Sequence, residues 1–149
     1  VLQYVGRLAK SHDGPELHLA YIASRLPPEL LETGGSELPE REEQLESNLR
    51  REQRGWMAVG DRKAQRILRA AQTTLQQAGI AASRIHSCIS SPLDARTTVD
   101  EVLLLARDQQ CRTVVVGHRA HSWLRGLSSG DLADQLLRRA KGFAVWVIN

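Results

Sequence analysis

The residues of this 149-residue chain best suited to chemistry lie between its third apolar run and its last helical segment. Gly117, His118, Arg119 and Ala120 follow the run Val114 to Val116, and after nine further residues, His121 to Ser129, come Gly130 and Asp131. A glycine leaving a buried strand lets the backbone approach a ligand, and a glycine where a helix begins exposes amide N–H groups to a phosphate. The pattern predicts an anion-binding loop.

Other chemistries have less support. His118 and His121 stand three apart beside Arg119, and His86 and Cys88 lie elsewhere in the chain. Zinc sites need three or four convergent ligands at characteristic spacings, and these residues show none, so no metal site is expected. Cys88 and Cys111 fall in or beside apolar runs, where a thiol is usually inert, and no acid, base and nucleophile set is assembled. No catalytic residue is assigned.

Twenty Lys and Arg against seventeen Asp and Glu give a net charge of +3, and Trp123 is the one aromatic in the loop, so nucleic acid is not the expected partner. The charge is uneven, with glutamates crowded between Glu29 and Glu46 and arginines in the last forty residues. The longest apolar run, Phe143 to Ile148, is far short of the roughly 20 residues of a membrane helix. Two cysteines at this length fit a reducing compartment, and the cytoplasm is expected.

The elements that must position the loop follow from periodicity. Val1 to Ala9, Pro39 to Ala78, Thr98 to Gln109 and Asp131 to Ala140 carry apolar residues at helical spacing. Glu16 to Ile22, Ile85 to Ile89, Arg112 to Val116 and Phe143 to Ile148 read as strands, with Val114, Val115 and Val116 expected to be fully buried. In the long second helix the apolar stripe runs through Leu45, Leu49, Trp56, Ala64, Ile67, Ala71 and Leu75, and a bend or break is expected between Gly55 and Gly60. Strict alternation of helix and strand over one domain, residues 1–149, means α/β architecture with a parallel sheet. Ligands of such sheets sit at the carboxyl ends of the strands, which is where Gly117 falls.

The sequence also resembles the universal stress protein family. The likeness is carried by Gly117, Ala120, Gly130 and Asp131 at the spacing of that family's phosphate loop, by Leu8-Ala9-Lys10, by Glu16-Leu17-His18-Leu19, and by Ala140 to Ile148. It implies an open five-stranded parallel sheet and an adenine nucleotide, ATP in the type pattern, contacting Tyr21, Val116, Gly117, Ala120, Gly130, Asp131 and Leu132. In that pattern Ala120 is glycine and Asp131 is serine or threonine. The alanine narrows the space for ribose and phosphates, and the aspartate puts a carboxylate where a hydroxyl would bind phosphate. The implied role is a dimeric regulator of stress response whose ATP loop is degenerate; the alternative is a nucleotide-dependent switch with slow ATP hydrolysis. The resemblance also implies a homodimer through the last strand, with Phe143, Val145, Trp146 and Val147 at the contact.

Because Val1 to Ala9 is already helical, the family's first strand, central in its sheet, is expected to lie outside this sequence. The rival expectation is that a partner supplies that strand.

Overall fold

The computed structural model describes residues 1–10, 14–24, 26–31, 39–90, 97–117 and 132–148. Helix and strand alternate throughout: α1 (Leu2–Ala9), β1 (Leu17–Ile22), α2 (Pro39–Gln77), β2 (Ile85–Ser90), α3 (Thr98–Asp108), β3 (Thr113–Gly117), α4 (Leu132–Arg139) and β4 (Ala144–Ile148). Each lies within a residue or two of the bounds its periodicity implies.

Among the described residues the strands form two parallel pairs rather than one continuous sheet. β1 pairs with β2 from Leu17↔Ile85 to Ile22↔Ser90, and β3 pairs with β4 from Thr113↔Ala144 to Gly117↔Ile148. Each pair has its own apolar cluster. Ala9, Leu75, Ile80 and Ile85, joined by Leu2, Val5, Leu17 and Leu19, clamp α1 and α2 onto one face of β1 and β2. Val99, Leu103, Ala106, Val114, Leu136 and Ala140, joined by Val116, Leu132, Phe143 and Val145, hold α3 and α4 on β3 and β4. The halves are tied through α3: the Ser90 hydroxyl at the end of β2 donates to the carboxylate of the buried Glu101.

Three expectations are corrected here. α2 runs without interruption through Gly55 and Gly60, where an added Cβ would meet nothing within 4 Å, so the helix is not broken there. A glycine on a solvent-facing helix surface lowers helix stability without giving the chain a reason to turn. Along α2 the expected stripe holds at Ala64 and Leu75, which are buried, and at Leu49, Trp56 and Ala71, which are half-buried. Leu45 and Ile67 are exposed and Leu68 is buried in place of Ile67, because the strands beneath the helix select which neighbour faces inward. Lastly, Val114 is buried but Val115 and Val116 are only half-buried, since a two-stranded pair leaves more of each strand uncovered than a full sheet does.

The helix ends are well specified. Gly79 closes α2 at φ +95°, with its own N–H on the Gln76 carbonyl and the Ile80 N–H on the Leu75 carbonyl, the two bonds of a Schellman stop. At α3, the Thr97 hydroxyl accepts from the Asp100 N–H, and the Asp100 carboxylate accepts from both the N–H and the hydroxyl of Thr97. Arg139 in the last turn of α4 adds an ion pair to Asp100, so this box also fastens α4 to α3.

Thr97→Ala should therefore cost about 1 kcal/mol. The Asp100 carboxyl is held below its ordinary range, first by the Thr97 hydroxyl, then by the Thr97 N–H, with Arg139 assisting. A folded-state value below the unfolded one means the contribution is present above the unfolded pKa and is lost as pH falls through the folded one. Thermal melts of the parent and of Asp100→Asn should differ at neutral pH and converge in acid; a gap that persists in acid would contradict this.

Candidate functional site

The two elements that flank the expected anion loop are described, β3 before it and α4 after it. β3 delivers Val116 and Gly117 at its carboxyl end, in register with Val147 and Ile148, and Leu132 opens α4. Val116 and Leu132 pack on the same cluster, so the end of β3 and the start of α4 are brought together with the loop between them. Ala120, Gly130 and Asp131 fall outside the described residues. The carboxyl end of β3 also approaches Val1, the residue just before α1, since a Cβ on Gly117 would stand 2.7 Å from the Val1 Cγ2. A side chain at this position would have to displace that valine, a demand that glycine avoids.

Tyr21 is half-buried near the carboxyl end of β1, paired with Ile89. Strand alternation puts it on the face of Leu17 and Leu19, toward the α1 and α2 cluster, whereas Val116 packs toward α3 and α4. Thus Val116 and Leu132 share one cluster, Gly117 follows Val116 in β3, and Tyr21 belongs to the other strand pair. The electrostatics of the α4 start are acidic. Asp134 lies in its first turn, one helical step beyond Asp131, and the basic Arg138 and Arg139 are at its far end. This is the arrangement that satisfies a helix dipole with the chain's own charges.

Both thiols are half-buried and unbridged, and burial pushes Cys88 and Cys111 up, away from the thiolate. They are not poised nucleophiles.

A second polar group stands at the amino ends of β1 and β2, and its members are dispersed in the sequence. His18 and His86 are opposite one another in the ladder, with ring centroids 4.9 Å apart and planes inclined by 25°. The His86 Nε2 lies 3.4 Å from a carboxylate oxygen of Glu16. Sequence reasoning considered His86 beside Cys88 and the loop histidines; the register of two parallel strands is what pairs it with His18.

β4 carries an apolar surface. Phe143 and Val145 pack on the chain's own core, while Trp146 and Val147 are 44% and 40% exposed. With Ile148 and with Tyr4 and Leu8 of α1 they line an open groove of about 430 Å³. Among the described residues no helix is long and apolar enough to cross a membrane.

No curated protein matches the chain. Among solved structures, a universal stress protein crystallised in complex with cAMP superposes with a TM-score of 0.56 at 18% identity, over 99% of this chain and 83% of its own. At that identity the likeness speaks for the fold alone, and it agrees with the alternation of helices and parallel strands described above. The universal stress protein family model matches residues 1–148, which takes in both strand pairs and the loop between β3 and α4. On that match the chain belongs to the universal stress protein family.

Proposed function

We propose that this chain is a regulatory, dimeric universal stress protein of the cytoplasm whose adenine-nucleotide loop is degenerate. The observation that carries this reading is the acidic start of α4. Asp134 is in its first turn and Asp131 directly precedes Leu132, so the helix end that would face phosphates already holds carboxylates. Ala120 in place of glycine further narrows the loop. The two unbridged thiols support a reducing compartment. Calorimetric titration with ATP tests the reading: weak or undetectable binding is expected, and a sub-micromolar dissociation constant overturns it.

One observation favours the second reading, a nucleotide-dependent switch. The spacing of Gly117 and Gly130 is retained, and the structurally similar universal stress protein was crystallised with cAMP, itself an adenine nucleotide. Under that reading the nucleotide would lie over Val116, Gly117 and Leu132, with Tyr21 toward its base.

The finer architecture belongs to the same proposal. β1 and β3 each keep one ladder edge unused among the described residues, and a fifth strand between them would join the two pairs into one parallel sheet. At the other end of the molecule β4 has a free edge flanked by Trp146 and Val147, and the proposal places the homodimer contact there. Trp146→Glu tests it, because Trp146 is exposed while Val145 packs on the chain's own core. Sedimentation should show a dimer for the parent and a shift toward monomer for the variant; a parent that stays monomeric at high protein concentration refutes the contact.

A further inference from the structure

We propose that Glu16, His18 and His86 form a binding site for a divalent transition metal ion of the zinc type, at the opposite ends of the strands from the anion loop. Two of the side chains come from parallel strands locked in register, and the third from the residue just before β1. His18 and His86 are direct ladder partners, so their side chains leave the same face of the pair. Glu16 is two residues before His18, and in an extended chain that separation returns to the same face. The ligand atoms of all three already lie within 4.8 Å of one another.

The chemistry of the set is selective. Two imidazoles and a carboxylate are a recurring donor set for zinc and for non-haem iron, whereas calcium and magnesium prefer all-oxygen shells. Three protein ligands leave a fourth position for water, so the site is of the open kind. Bond lengths of about 2.0–2.2 Å hold ligand atoms roughly 3.3 Å apart around a tetrahedral ion, so the donors need to close by about 1.5 Å at most. The closing is side-chain rotation alone: the Glu16 and His86 side chains are 67% and 46% exposed, and the strands beneath them need not move. The His86 Nε2 already stands 3.4 Å from a Glu16 carboxylate oxygen, about the separation of two ligand atoms around a tetrahedral ion.

Neighbouring groups leave the site to these three. Arg84, two residues before His86, directs one guanidinium nitrogen to the carbonyls of Ala9 and Pro15, at 3.1 and 2.8 Å. Cys88, two residues after His86, is half-buried and is not among the donor atoms that lie within 4.8 Å of one another. A bound ion would cross-link β1 to β2 and so act on the N-terminal strand pair.

The test uses the full chain free of added histidines, titrated with Zn²⁺ by calorimetry and with Co²⁺ by visible absorption. One equivalent should bind, and His18→Gln, His86→Gln and Glu16→Gln should each weaken binding by more than the roughly 10–100-fold that loss of a metal's outer-shell partner causes. Because Glu16 and His86 are largely exposed, their variants should keep the parent's circular dichroism. The double variant His118→Ala and His121→Ala should bind as the parent does. Three results would each overturn the site: no stoichiometric Zn²⁺ binding, binding untouched by the three Gln variants, or binding that follows the loop histidines or thiol alkylation.

Discussion

Replacing Asp131 with serine should raise the affinity of the chain for ATP by up to roughly a thousandfold. A carboxylate about 4 Å from a phosphate charge costs on the order of 4 kcal/mol at an effective dielectric near 20, which sets that upper bound. The serine hydroxyl removes the repulsion and supplies a donor at the same place in the loop. Because the position directly precedes α4, which begins at Leu132, and aspartate and serine are both favoured ahead of a helix, fold stability should barely move. Calorimetry on parent and variant reads the difference directly, and equal affinities would show that Asp131 does not face the phosphates. Asp134→Asn is the companion measurement: it removes the first-turn carboxylate and should give a smaller gain in the same direction.

The largest expected losses of stability are at Leu75 and Leu136. Both are fully buried, Leu75 in the cluster that joins α1 and α2 to β1 and β2, Leu136 in the cluster that joins α3 and α4 to β3 and β4. Truncation to alanine removes three side-chain carbons and leaves a cavity whose walls relax only in part, so each change should cost about 2–5 kcal/mol. The two clusters share no member, so the double variant should lose the sum of the two within about 0.5 kcal/mol. Denaturant unfolding checks both claims; a loss below about 1 kcal/mol at either leucine would mean that its cluster is not a core.

Much of this architecture is legible in the residues themselves. Apolar spacing places every helix and strand, because segments such as Leu17-His18-Leu19 and Val99 to Ala106 have one dominant period. Gly79 marks the end of α2 through its positive φ, a requirement that acts locally and so shows in sequence. What sequence does not show is set by neighbours distant in the chain. Whether Ile67 or Leu68 faces inward depends on the strands beneath α2, and the half-exposure of Val115 and Val116 depends on how many strands flank β3. The His18 and His86 pair exists only through the β1 and β2 register, and no local spacing announces it. Of the residues proposed for a nucleotide, Val116 and Leu132 pack on one cluster and Gly117 follows Val116 in β3. Tyr21, placed by family likeness, is carried by the other strand pair.

The pairing of β1 with β2 and of β3 with β4 also distributes the entropy of chain closure unequally. Joining Leu17 to Ile85 closes a segment of roughly 70 residues, and joining Thr113 to Ala144 closes one of roughly 30, a difference of about 0.7 kcal/mol for flexible chains. Within the longer segment α2 is itself a rod of 39 residues, roughly 60 Å from end to end at 1.5 Å per residue. A chain that must turn back along such a rod cannot close at random; its ends meet only once the helix has found the face of the strands. The N-terminal pair is thus the more conditional of the two, its ladder depending on a helix already docked, while the C-terminal pair draws on partners close at hand.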